Sequence, residues 1–153
     1  MGKLAASLLL CQLAGLIGSL FTTPAIPTWY EALKKPPFTP PNWVFTPVWI
    51  GLFVMMGISL FLVWQRKDHP RARAGLVFFF VQLGFNTLWS IAFFGLRSPL
   101  LGLIDILLLW PAILLTIYLF FQVSRWAGFL LLPYHLWVSF AAVLNYALYI
   151  LNR

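Results

Sequence analysis

Apolar residues run through this chain in five long blocks, and most polar residues gather in the gaps between them. The blocks fall at about 4–21, 44–64, 74–94, 100–123 and 126–151, each near the ~20 residues a helix needs to cross a hydrocarbon layer. Backbone polar groups inside a bilayer must be satisfied internally, so the pattern predicts an all-α membrane protein, a bundle of five transmembrane helices. The first block follows Lys3 and has the outline of a secretory leader. Its apolar part is long for one, and no convincing small-x-small cleavage site follows, so it is expected to be retained. Ser7, Cys11, Gly15 and Gly18 share one face of that helix, which suits close packing in lipid. The second helix is expected to begin between Trp43 and Thr46, with Thr46 as N-cap and Pro47 in the first turn. A basic turn at 66–73 and a turn at 95–99 separate the next blocks, and Pro111 predicts a kink in the fourth. With no repeat or low-complexity segment, residues 1–153 read as one membrane domain.

The main interruption is a loop at about 24–43, part of the stretch WYEALKKPPFTPPNWVFTPVW at 29–49. Pro36, Pro37, Pro40 and Pro41 remove donors and push their preceding residues out of helical geometry, so 36–41 is neither helix nor membrane-spanning. A stiff, partly extended cover over one end of the bundle is expected, carrying aromatics that can shield a pocket or sit at the interface.

Composition agrees with a membrane class: 62% of residues are hydrophobic, 8% are charged and mean hydropathy is +0.92, far from the soluble balance. The net charge of +7 does not indicate nucleic acid, because no RNA- or DNA-binding motif accompanies it. All ten basic residues sit at helix ends or connections. Six of them (Lys3, Arg66, Lys67, Arg71, Arg73, Arg125) fall on the side of the N-terminus and four on the other, which favours a cytoplasmic N-terminus with the cover outside. Cys11 stands alone, so neither a disulfide framework nor a cysteine metal cluster is expected.

Polar residues within the spans carry the functional signal, because each is costly in hydrocarbon. Gln82, Asn86, Trp89 and Phe93 fall within about 60° on a helical wheel. Trp49, Phe53, Met56 and Leu60 share a face of helix two, as do Tyr134, Trp137, Ala141, Leu144, Asn145 and Leu148 in helix five. Taken singly, the amides Gln82, Asn86 and Asn145 read equally well as interhelical glue, and the aromatics as core or interfacial belt. Three aromatic faces, two of them bearing amides, beneath an aromatic cover describe more: an apolar pocket with a few orienting polar groups. Its guest is expected to be flat, large and hydrophobic. Asp105, the one carboxylate deep in a span, is expected to pair with Arg97 or an amide rather than to relay protons. His135 lies off the helix-five face and reads as an interhelical or interfacial residue, not a haem ligand; His69 reads as solvated. No nucleophile–base set, phosphate loop or metal spacing is present. Leu144, Tyr149 and Arg153 satisfy a loose cholesterol-contact pattern but read as ordinary interface anchors.

The proline–tryptophan loop ending in PVW with Met56–Gly57 beyond it, QLGFNTLWSIAFFG in helix three, and LPYHLWVSFAAVLNYAL in helix five together resemble the TspO/MBR (tryptophan-rich sensory protein) family, whose mitochondrial relative is the translocator protein, or peripheral benzodiazepine receptor. The resemblance covers essentially the whole chain. It implies a five-helix bundle, often a homodimer, that binds a tetrapyrrole such as protoporphyrin IX or haem beneath the first loop, as a sensor or transporter-like protein. Carried over by motif, Trp49, Asn86, Trp89 and Trp137 would line the site, beside Phe53 on the Trp49 face, with Ala141 and Leu144 as wall. Trp29, Pro40 and Trp43 would form the lid. Asp105 matches an acidic position, whereas Leu101 stands near where many relatives carry an aromatic. Two alternatives stay open: a light-dependent porphyrin-degrading enzyme with Trp49 and Trp137 as reactive indoles, or a scaffold holding membrane lipid or sterol. The expected location is a multi-pass position in a membrane, such as a bacterial cell membrane.

Overall fold

The computed structural model describes all 153 residues and contains helices and turns only. Helix α1 spans Gly2–Ala25, α2 Asn42–Gln65, α3 Ala72–Ser90, α4 Pro99–Val123 and α5 Arg125–Leu151. A π-helical turn, Ile91–Gly95, prolongs α3, and a single 3-10 turn, Tyr30–Ala32, stands in the long first loop. Each of the five segments is 24 to 27 residues long when the π turn is counted with α3. At 1.5 Å per residue each is long enough to cross a ~30 Å hydrocarbon layer. Packing closes them into a ring in the order α1, α2, α5, α4, α3 and back to α1. Exposed leucines, valines and isoleucines cover the outside (Leu9, Leu13, Val77, Leu107, Leu136), where lipid tails make them inexpensive.

Close approach between α1 and α2 follows from their small residues. A Cβ on Gly57 would lie 2.9 Å from Leu8 Cα, and one on Gly15 would lie 2.6 Å from the Phe53 ring. Ser7, Cys11 and Gly18 are buried on this face, as the sequence pattern requires. Lower in the core, Phe79 of α3 stacks on Phe120 of α4 at 5.6 Å and 6°, and Met56, Ile113 and Tyr134 are fully buried around them. At the basic end, Arg66 donates to the Val123 carbonyl at 2.7 Å, capping the C-terminus of α4 with a cation.

Helix ends differ from the sequence reading in places. Helix α1 runs four residues past 21 and absorbs Pro24 in its last turn, with the Thr22 hydroxyl bonded to Gly18 O. Helix α2 starts at Asn42, so Thr46 is not its N-cap. Pro41 holds the extended cap geometry (ψ 146°), and its carbonyl accepts from Val44 N. Pro47 therefore lies inside the helix, where its missing N–H leaves the Trp43 carbonyl without its usual donor. Ser98 and Ser124 cap α4 and α5 by accepting from Leu101 N and Ala127 N. Between α3 and α4 the chain turns through Arg97 at φ 52°, the one left-handed residue.

Candidate functional site

The ring of helices encloses a cavity of about 580 Å³ at the end of the bundle that the first loop covers. Trp49 and Phe53 of α2 form one wall, and Asn86 and Trp89 of α3 another. Trp137, Ala141 and Leu144 of α5 form a third. All seven residues singled out from sequence thus face one space. Helix α4 adds only Ile106 and Leu109. Leu101 is exposed on the outside, so an aromatic there would not reach the cavity in this geometry.

The roof differs from the expected lid. Tyr30, 2% exposed, and Phe45 line the cavity from above, with their rings edge-to-face at 6.4 Å. Trp29 does not line it; it packs edgewise on Phe93 (5.4 Å) and Phe94 (6.4 Å) and so anchors the loop to the π turn. Trp43 is 74% exposed and points away, and Pro40 lies in the loop outside the lining. Starting α2 at Asn42 accounts for this, because Phe45 then takes the inward face and Trp43 the outward one. The π turn sets Phe93 and Phe94 side by side at 4.8 Å, with Phe93 stacked on Trp89 at 5.0 Å. A regular helix would have directed these consecutive rings about 100° apart.

Two further contacts fasten the roof. The Lys34 amide donates to Asn152 Oδ1 at 2.9 Å, and Asn152 Nδ2 donates back to the Lys34 carbonyl at 2.9 Å. Asn42 Nδ2 donates to Glu31 Oε1 at 2.7 Å. The Tyr30 phenol is sealed without a partner and sits under the Lys35 ammonium, 4.8 Å from the ring centre. Burial pushes its pKa up to about 12.

The polar stripe on α3 is engaged from below. Asn86 Nδ2 donates to the Tyr134 hydroxyl at 2.9 Å, and that hydroxyl donates to Gln82 Oε1 at 2.7 Å. Trp89 Nε1 donates to Asn145 Oδ1 at 3.0 Å, and Asn145 Nδ2 to Pro99 O at 2.8 Å. Gln82 and Asn145 are therefore interhelical ties; Asn145 also borders the cavity and Gln82 does not. Asp105 departs from expectation. It is 5% exposed and makes neither an ion pair nor a hydrogen bond. Arg97, displaced into its left-handed turn, does not reach it. His135 packs against Trp110 at 4.7 Å on the α4–α5 seam, clear of the cavity.

Helix α1 supplies the side that sequence reading did not foresee. Gln12, Ser19, Thr22 and Ile26 line the cavity together with Leu9, Leu13 and Leu16, which are also exposed on the outer surface. Across from them Ile50 of α2 is both lining and exposed, and its carbonyl accepts from Gln12 Nε2 at 3.2 Å. The cavity thus reaches the outer surface along the α1–α2 seam, at the depth of the membrane.

An all-helical, multi-pass membrane protein with a roofed aromatic cavity inside the bundle is the class that fold and site define. Comparison with known proteins narrows it: the TspO/MBR family model matches residues 7–151. The chain is 47% identical over 150 residues to the tryptophan-rich protein TspO of Archaeoglobus fulgidus, covering 98% of this chain and 97% of that one. It is 38% identical over 143 residues to protein CrtK of Rhodobacter capsulatus, covering 93% of this chain and 88% of that one. To the human translocator protein it is 37% identical over 135 residues, covering 87% and 80% respectively. The chain belongs to the TspO/MBR family.

Proposed function

We propose that this protein binds a tetrapyrrole, protoporphyrin IX or haem, within the bundle and acts as a sensor or transporter-like protein for it. One observation carries the reading: indoles from three helices (Trp49, Trp89, Trp137) wall a single apolar cavity of about 580 Å³ under an aromatic roof. That volume lies in the range of small-molecule sites, and planar rings of this kind favour a flat aromatic guest. Neither Trp49 nor Trp137 donates its indole N–H within the protein, so both are available to a guest. The free indoles also favour a second reading, in which a bound porphyrin is degraded in light with Trp49 and Trp137 as the reactive indoles beside it.

The test is a tryptophan-fluorescence titration of purified protein with protoporphyrin IX, in the dark and then under illumination. Saturable dark quenching that weakens in Trp49→Phe and Trp137→Phe is the expected result. New absorbance bands appearing only in light would favour degradation. Linear quenching identical in all variants would mean partitioning into the micelle and would remove the porphyrin reading.

A further inference from the structure

The hydrogen-bond chain beside the cavity has a direction. A phenol carries one proton, and Tyr134 gives it to Gln82 Oε1. Toward Asn86 the hydroxyl can then only accept, which holds the Asn86 amide with Nδ2 against the tyrosine. Its Oδ1 takes no bond in the protein and is not among the sealed polar atoms, so it is left to the cavity that Asn86 lines. Of the other two amides at the cavity, Asn145 is already fixed on both sides by Trp89 and Pro99, and Gln12 is tied to the Ile50 carbonyl at the α1–α2 seam. Gln82 is 1% exposed and outside the lining, and its Nε2 is sealed without a partner.

We propose that Gln82, which does not touch a guest, sets the hydrogen-bond polarity the cavity presents at Asn86, so that a guest with an outward-pointing donor is favoured over the same guest carrying only an acceptor. This deepens the binding reading above and rests on it. Gln82 and Tyr134 are positioning residues: they act through Asn86. Remove the Gln82 carbonyl, and the one hydrogen-bond partner the Tyr134 hydroxyl keeps is the Asn86 side chain, which can take the proton only through Oδ1. The amide must then rotate by half a turn and show Nδ2 to the cavity. The donor preference is lost, although no lining residue has changed.

Gln82→Met tests this with little risk to folding, since it keeps side-chain length and also removes a buried donor that lacks an acceptor. Two porphyrins that differ at two peripheral carbons serve as probes: haematoporphyrin IX, with hydroxyethyl groups, and diacetyldeuteroporphyrin IX, with acetyl groups. The wild type is expected to bind the hydroxyethyl compound about 5- to 10-fold more tightly, the scale of one net hydrogen bond. Gln82→Met, in which Asn86 shows Nδ2 to either guest, and Asn86→Leu are each expected to lose that preference. A second measurement needs no guest. In side-chain amide NMR spectra, the Asn86 NH₂ signals, identified by their loss in Asn86→Leu, should move upfield in Gln82→Met as they leave the tyrosine oxygen. An unchanged preference together with unchanged amide signals would overturn the proposal. Should the wild type bind neither porphyrin saturably, the porphyrin reading falls, and the amide signals still decide whether Gln82 orients Asn86.

Discussion

Replacing Asn152 by alanine isolates what holds the roof down. The residue lies just past α5, yet its side chain forms both hydrogen bonds of a peptide-like pair with the backbone of Lys34, each at 2.9 Å. A third bond, from Nδ2 to Leu148 O at 2.8 Å, stays within the helix end and adds nothing to the roof. Both bonds to Lys34 are neutral and reached by water, so each is taken at the lower end of the usual range, about 0.5–1 kcal/mol net. Their joint loss of about 1–2 kcal/mol should raise the open-roof population about 5- to 30-fold. Contacts of Trp29 with Phe93 and Phe94, and of Phe38 with Phe140, remain to keep the roof mostly closed. Hydrogen exchange at Glu31, Ala32 and Leu33 reads the change, because their amides bond within the loop and keep those acceptors in the variant. Exchange there should quicken by the same 5- to 30-fold, while amides in the middle of α3 and α4 are unaffected. Equal protection in variant and wild type would mean that the aromatic contacts alone hold the roof, and the latch would be refuted.

Gly57→Ala places a methyl 2.9 Å from Leu8 Cα. It should force α1 off α2 at a cost of about 1–3 kcal/mol, seen as a lower midpoint of thermal unfolding in detergent. Arg97→Gly relieves the left-handed φ of 52° and should stabilise the α3–α4 turn by up to about 1 kcal/mol, raising that midpoint. Tyr30 holds its proton more tightly folded than unfolded, with a pKa pushed to about 12 from 10. Between those values the unfolded loop has released the proton and the roofed state has not, so closure weakens as pH rises through that window. Exchange at 31–33, corrected for its intrinsic pH dependence, should show the weakening, and Tyr30→Phe should abolish it.

Much of this architecture is visible in the residues alone, for a physical reason. A polar group in an apolar block is expensive, so Gln82, Asn86 and Asn145 had to face inward, and helical periodicity then fixed which aromatics share their faces. Proline at 36–41 likewise excludes helix whatever the surroundings. Positions that depend on long-range contacts were not legible. Whether Trp43 or Phe45 covers the cavity turns on where α2 starts, and Pro41, not Thr46, decides that. Tyr30 gave no signal, because its burial comes from Phe93 and Phe94, more than sixty residues away. The π turn adjusts backbone hydrogen bonding, which side-chain pattern does not encode. Helix α1 looked like packing surface only, yet its Gln12–Ile26 stretch is a cavity wall. Asp105 remains without a partner in the structure, and no packing feature accounts for its place there.

The gap along the α1–α2 seam alters what an affinity means for this protein. Leu9, Leu13, Leu16 and Ile50 belong both to the cavity lining and to the lipid-facing surface, so a guest of the kind proposed above would meet the site from the hydrocarbon phase. Its effective concentration is then a mole fraction in the bilayer rather than a molarity in the buffer. Doubling the lipid at constant guest and protein dilutes the guest and raises the apparent dissociation constant, with no change at the site. Two laboratories using different detergents would measure different constants for the same contacts, and only values normalised to the apolar phase would agree.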